Sequence, residues 1–229
     1  MNKILISGTD GNLGGHLKKR YPNSICVTRK KPIDKKIFHD GVDTIIHCAF
    51  NTNLSKLNEF DDDCYKDNID LTNTLTKIPH QRFIYISSVQ IPPRFNTPYS
   101  IYKKISEQIV EHHSNNFLIL RISSILPPST KTNSILKMKN NMDITLTKDS
   151  VNDFIFLDDV YDVIQKDTSG IKYLKSRQNI NLERCSEIIG NDIKFGNYHY
   201  DIGDETSDFD IGYTSEQNLK RFLKNDFRI

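Results

Sequence analysis

The stretch KILISGTDGNLGG, residues 3–15, joins a short apolar run to glycines at positions 8, 11 and 14. A near-continuous apolar run is the mark of a strand covered on both faces, as in a parallel sheet. A helical pattern takes over across residues 12–20. Glycine suits such a strand-to-helix turn for three reasons. It allows a tight bend, it lets backbone approach a pyrophosphate, and it leaves N–H groups at a helix N-terminus facing an anion. An ordinary glycine-rich turn would carry the same G-x-x-G-x-x-G spacing. The position directly behind the first strand of a βαβ unit is what points to a dinucleotide.

Working outward, SICVT (24–28), DTIIHCA (43–49), RFIYIS (82–87) and FLILRI (117–122) repeat the buried-strand pattern, with helix-like stretches at 62–77 and 99–113 between them. Strand and helix alternating in this way predict an α/β fold, a Rossmann-like doubly wound parallel sheet. Beyond Pro127-Pro128 the pattern loosens into a polar stretch over 129–150. DFIFLDDVYDVIQK (153–166) then reads as a strand entering a helix, and NLERCSEIIG (181–190) as a helix closed by Gly190. The expected division is a dinucleotide-binding core over 1–122. Residues 123–229 supply the remaining sheet elements and a small C-terminal substrate lobe, in one structural unit with the core.

Composition narrows the function classes. With 37% hydrophobic and 26% charged residues and a mean hydropathy of −0.52, the chain has no run near the ~20 apolar residues of a membrane span. No apolar leader with a cleavage site precedes the first strand, so a cytoplasmic protein without membrane contact is expected. Cys26, Cys48, Cys64 and Cys185 lack metal-ligand spacing, which predicts reduced thiols and no metal. A net charge of +2 gives no bulk field for nucleic acid.

The second strand ends in Thr28-Arg29-Lys30-Lys31, where an acid would accept from the ribose 2′-OH of NAD and an arginine would meet the 2′-phosphate of NADP. The first acid downstream is Asp34, so NADP is favoured over NAD, through Arg29 and Lys30. Tyr99-x-x-x-Lys103 opens the helix after the fourth strand, whose end carries Ser87-Ser88. Residues four apart share a helix face. There an ammonium is expected to lower the phenol's pKa, giving an acid/base beside a serine hydroxyl that can hold a substrate oxygen. The rival Tyr102 meets Ser106 four residues on, so Lys103 belongs to Tyr99.

On these segments the chain resembles the extended short-chain dehydrogenases, the NAD-dependent epimerase/dehydratase family. GTDGNLG is similar to the family's cofactor loop, DTIIHCAF to its strand motif, and YKDNIDLTNTL places Asn68 at a family asparagine. ISSVQIP and TPYSIYKKISEQ, with Glu107, resemble the serine and Tyr/Lys segments, while FLILRISSILPP and DFIFLDDV match two later motifs. The resemblance implies Ser88, Tyr99 and Lys103 as catalytic residues, with Ser87 the fallback for the serine. It gives Lys103 a second duty on the nicotinamide ribose. Gly8, Gly11, Asn12, Leu13, Gly14 and Ala49 would line the cofactor together with Arg29, Lys30, Tyr99 and Lys103. The implied function is an NAD(P)-dependent reductase or epimerase acting on a nucleotide-linked sugar. Val89-Gln90 stand where dehydratases of the family carry acids, which disfavours water elimination. The chain is also short for the family, mainly in the lobe. A reductase of a small ketone or aldehyde, or a silent NAD(P) sensor, are the competing readings. Family dimers pair the helices at 62–77 and 99–113, so a homodimer is the expectation. Tyr65, Ile69, Leu71 and Leu75 on the earlier helix and Ile101, Ile105, Ile109 and Val110 on the later one are the apolar residues available to it, though part of each set must face the sheet, and a monomer with all of them internal is the alternative.

Overall fold

The structure, a computed structural model, describes residues 2–51, 61–126 and 133–225. In chain order, β1 (Ile4–Ser7), α1 (Asn12–Arg20), β2 (Ile25–Val27), α2 (Ile37–Asp40) and β3 (Val42–His47) come first. A long helix follows, built of α3 (Asp62–Tyr65), a π turn (Lys66–Asp70) and α4 (Leu71–Thr76). Next are β4 (His80–Ser88), α5 (Pro98–His113), β5 (Phe117–Ile122), β6 (Ser124–Ile125), α6 (Ser134–Lys139), β7 (Val151–Asn152), β8 (Phe154–Ile155) and α7 (Leu157–Ile164). The chain ends with β9 (Gly170–Leu174), β10 (Ile180–Asn181), α8 (Leu182–Ile189) and α9 (Ser215–Leu223).

Two compact units divide the chain: Met1–Arg121 with Lys166–Lys172, and Ile122–Gln165 with Tyr173–Ile229. The six-stranded sheet runs in the order β2-β1-β3-β4-β5-β9. Its pairs β1–β2, β1–β3 and β3–β4 are parallel, with Leu5 level with Ile25 and Ile45, and Ile45 level with Phe83. From β1 the chain steps to β2 on one side and then returns to β3 on the other. The order reverses between β1 and β3, and in open α/β sheets a ligand crevice forms at the carboxyl ends of such strands. The expected Rossmann-like α/β architecture is therefore present, with its switch point at Ser7 and His47.

The strands earn their burial from the apolar runs that predicted them. Leu5, Ile45, Phe83 and Ile119 are fully buried and pack with Leu75, Ile78 and Val110 from the helices. Each such side chain contributes about 1.5–3 kcal/mol relative to exposure. Of the residues expected at a dimer contact, Ile69, Leu75 and Val110 turn inward. Ile101, Ile105 and Ile109 are half-buried and Tyr65 is exposed.

Local chemistry sets the helix that matters most. Thr97 caps α5 by accepting from the Ser100 N–H, Ser100 Oγ accepts in return from the Thr97 N–H at 2.9 Å, and Pro98 occupies the first turn. This reciprocal cap with proline just inside the helix fixes where α5 begins. It thereby places Tyr99 in the first turn and Lys103 one turn later.

The second unit has a core of its own, with Leu126, Met138, Phe154, Phe156, Leu182 and Leu219 among its buried members. The Asp153 carboxylate of the DFIFLDDV motif is fully buried and accepts from the Ser176 N–H at 2.9 Å and the Ser176 hydroxyl at 2.6 Å. Gly190 ends α8 in the left-handed region at φ +80, as its place after the helix predicted. Pro127-Pro128 and residues 129–132 lie outside the described residues. All four cysteines are free thiols, with Cys48 half-buried and the others buried.

Candidate active site

At the end of β1 the chain turns through Gly8, whose φ of +76 belongs to the region that favours glycine. A Cβ on Gly8 would stand 2.6 Å from the Ala49 nitrogen, and one on Gly14 would stand 2.2 Å from the Gly8 carbonyl oxygen. Both obstacles are backbone, so neither can swing aside. The glycines press α1 against the ends of β1 and β3. No side chain caps α1 at Gly11, and its first turn carries no acid. Asn12 and Leu13 open that turn, the former exposed and the latter buried. A closely packed loop delivering uncapped N–H groups to the switch point fits the diphosphate of a dinucleotide. Gly14→Ala is accordingly expected to destabilise the fold by about 1–3 kcal/mol, the usual range for overpacking. Urea unfolding would read this as a lower midpoint at unchanged slope.

A buried polar chain ties this loop to the long helix. The Ala49 N–H donates to Ser7 Oγ at 3.2 Å, and Ser7 Oγ lies 2.6 Å from His47 Nδ1. His47 Nε2 lies 2.9 Å from Thr72 Oγ1, which donates to the Asn68 carbonyl oxygen at 2.5 Å. Since Thr72 spends its one proton on the Asn68 carbonyl, it accepts from His47 Nε2–H, which leaves Nδ1 to accept from the Ser7 hydroxyl. Burial, assisted by the Lys103 charge, lowers the His47 pKa to about 3, so the ring stays neutral. Sequence reasoning passed over this histidine; its one signal was a polar residue inside the apolar run DTIIHCA.

Ser88, Tyr99 and Lys103 are brought together between β4 and α5. Ser88 Oγ accepts from the Gln90 N–H at 3.0 Å and stands beside the Tyr99 phenol, near enough to favour its ionised form. Ser87 instead donates to Glu107 Oε1 at 2.6 Å, so its hydroxyl is committed elsewhere. Of the two serines, only Ser88 addresses the tyrosine. Tyr99 packs edge-on against Phe50, ring centroids 5.2 Å apart. Lys103 is buried, donates to the Ile86 carbonyl oxygen at 2.7 Å, and holds its ammonium 4.1 Å from the Phe50 ring centroid.

The electrostatics differ from the sequence expectation in one respect. Burial raises the Tyr99 pKa, with the Ser88 hydroxyl as the opposing influence. The expected lowering by Lys103 is not found, because that ammonium is turned to the Ile86 carbonyl and the Phe50 face. Burial lowers the Lys103 pKa to about 7, against the opposing pull of Cys48 and Glu107. Tyr99 is therefore a protonated phenol at neutral pH.

Beneath this trio lies a cluster that the sequence did not announce. The fully buried Glu107 carboxylate accepts from Arg121 Nε at 2.9 Å and Arg121 Nη2 at 2.7 Å, as well as from Ser87 and Lys104. At the far side of the crevice, Arg29 follows β2 and stands exposed beside Lys30 and Lys31. Among the described residues, no group of three or more His, Cys, Asp or Glu converges as a metal site. No helix among them is long and apolar enough to cross a membrane.

Sheet order, switch point and the serine, tyrosine and lysine at β4 and α5 define a Rossmann-type α/β protein. Residues 4–166 match the model of the NAD dependent epimerase/dehydratase family, and the chain belongs to that family. No curated protein matches the sequence significantly. Among solved structures, the dTDP-4-dehydrorhamnose reductase of Yersinia enterocolitica is similar at a TM-score of 0.77 and 18% identity, covering 99% of this chain and 100% of that one. The Bacillus anthracis dTDP-4-dehydrorhamnose reductase, in complex with NADP, aligns at 0.75 and 16% identity, covering 98% and 99%. The Thermotoga maritima UDP-glucose 4-epimerase, with UDP-glucose, aligns at 0.72 and 16% identity, covering 97% of each chain. Likeness at this level is one of fold.

Proposed function

We propose that the chain is an NAD(P)-dependent reductase or epimerase of nucleotide-linked sugars, with Tyr99 as its proton donor and acceptor. The observation that carries this reading is the Tyr99 phenol set beside the Ser88 hydroxyl at the end of β4, with Lys103 buried one helical turn away. The family supports the reaction class, and similar folds act on dTDP- and UDP-linked sugars with NADP or NAD. The chemistry that an NAD(P) held at the switch point would supply is hydride transfer at its nicotinamide. The chain's own work is then positioning and proton transfer. Asn12, Leu13 and Gly14 would hold the diphosphate with the N–H groups of the first helical turn, while Gly8 and Gly11, whose own N–H groups go to the Val27 and Gly8 carbonyls, shape the turn beneath it and Ala49 closes the loop from β3. Ser88 Oγ holds the substrate oxygen while Tyr99 Oη gives it a proton or takes one back. Lys103, held by the Ile86 carbonyl against the Phe50 ring, would serve the nicotinamide ribose one helical turn from the phenol. Val89 is buried and Gln90 uses its N–H on Ser88, so the two positions after Ser88 offer no carboxylate for water elimination.

Arg29 and Lys30 favour NADP over NAD, because a 2′-phosphate at the end of β2 would meet their charges. Arg29→Ala is expected to weaken NADPH binding about tenfold, the size of one charge-assisted phosphate contact, and to leave NADH binding nearly unchanged. Calorimetric titration of both cofactors tests this. Equal losses for NADPH and NADH would remove Arg29 from the 2′ position.

A further inference from the structure

No acid follows β2 in the sequence, yet a carboxylate reaches its end through space. Arg29 donates to Asp67 twice, Nε to Oδ1 at 3.3 Å and Nη2 to Oδ2 at 2.5 Å. Asn51 Nδ2 donates to the same Oδ2 at 2.8 Å. Asn51 is itself pinned, its N–H donating to Asn68 Oδ1 at 2.6 Å and its carbonyl accepting from Asn68 Nδ2 at 3.4 Å. Asp67 and Asn68 are neighbours in the π turn, where one extra residue shifts the register of the helix. With that shift Asp67 reaches the basic end of β2 while Asn68 reaches the backbone after β3.

We propose that Asp67 is a specificity-determining residue for the cofactor, acting through Arg29. This rests on the reading that the switch point binds NAD(P). The fork between guanidinium and carboxylate uses the donors that a 2′-phosphate would require. A phosphate must displace Asp67 or share the guanidinium with it. Cofactors with a plain 2′-OH face no such competition, and the Asp67 carboxylate offers that hydroxyl an acceptor. Side-chain exposure of 71% for Arg29 and 29% for Asp67 makes the pair a surface ion pair, weak enough for a dianion to open. Asp67 thus restrains a preference that Arg29 and Lys30 create, so the chain accepts both cofactors with only modest discrimination. The residue lies 38 positions from Arg29 and belongs to no glycine loop or strand end, which hides it from any reading of the usual specificity positions.

The test is a double-mutant cycle read by calorimetric binding of NADPH and NADH to the wild type, Asp67→Asn, Arg29→Ala and the double variant. Asp67→Asn keeps the shape and removes the charge. It is expected to tighten NADPH about fivefold, the strength of an exposed ion pair, and to shift NADH by less than about twofold. In the Arg29→Ala background the same change should have no effect on NADPH. An unchanged NADPH-to-NADH ratio in Asp67→Asn overturns the proposal. So does an equal gain in the Arg29→Ala background, which would mean simple charge repulsion without Arg29. Wild-type protein that binds neither cofactor would instead remove the functional reading itself.

Discussion

Tyr99→Phe is expected to lower turnover on an accepted nucleotide-linked sugar by about 10²–10⁴-fold, the usual loss on removing a positioned general acid. The ring and its edge-on packing against Phe50 survive the change, since only the hydroxyl goes. NADPH binding should therefore move little, and the loss should fall on kcat. Ser88→Ala should fall in the same direction, because Ser88 is the hydroxyl beside the phenol. Steady-state kinetics beside cofactor titration separates the two effects. Near-normal turnover in Tyr99→Phe would remove the tyrosine from the chemistry. A parallel loss of cofactor affinity would mean that the phenol serves binding instead.

The largest effect on stability is expected at Glu107. Glu107→Ala strips Arg121 of both carboxylate bonds and Ser87 of its acceptor, leaving a guanidinium whose side chain is only 11% exposed without its counter-charge. Breaking one half of such a buried pair costs about 3–5 kcal/mol. The paired replacement Glu107→Leu with Arg121→Met should recover most of that loss, because it removes both charges together. The pH dependence has a definite sign. Burial pushes the Glu107 carboxyl up, but Arg121 and Ser87 outweigh it and hold the group below its ordinary value. A carboxyl lowered in the fold stabilises above the pKa of the unfolded chain, about 4.3 for glutamate, and its contribution fades as pH falls through the folded value. Urea midpoints measured from neutral pH down to acid should show that decline in the wild type. The decline should be smaller in the paired variant. A wild-type stability that stays flat across this range would contradict the assigned ion pair.

How much of this was legible depends on how local each feature is. The first five sheet strands were readable because parallel strands are apolar on both faces, so β1 to β5 appear as uninterrupted runs. Helix ends governed by a single residue were readable too, as with Gly190 after α8. The later strands were not. β6, β7, β8 and β10 have two residues each, too short for any period, and the GIKYL run of β9 is only half-buried. Helix α9 is mostly polar, with Leu219 and Phe222 as its buried apolar contacts, and it went unseen behind the acidic, irregular stretch over 201–212. The π turn left no mark because a register shift changes hydrogen bonding and not composition.

The candidate site divides along the same line. Gly8, Gly14, Ser88, Tyr99 and Lys103 lie on short motifs whose spacing is their geometry. The Glu107–Arg121 pair spans 14 residues, the His47–Thr72 contact 25 and the Arg29–Asp67 fork 38. Such contacts exist only once the sheet has brought α5, the long helix and the strand ends together. The direction of the Tyr99 shift belongs to this group as well, for burial could not be read from Y-x-x-x-K.

The most direct test of the central claim is a single-turnover experiment. Enzyme loaded with stoichiometric NADPH is mixed with a nucleotide-linked 4-keto sugar, and nicotinamide absorbance is followed while the sugar products are separated. The same protein loaded with NAD is mixed with the corresponding 4-hydroxy sugars. Oxidation of one equivalent of NADPH with formation of the reduced sugar, or interconversion of 4-epimers with NAD, is the result this account predicts, lost in Tyr99→Phe. Protein that binds the cofactor yet transfers no hydride to or from any of these sugars would contradict it.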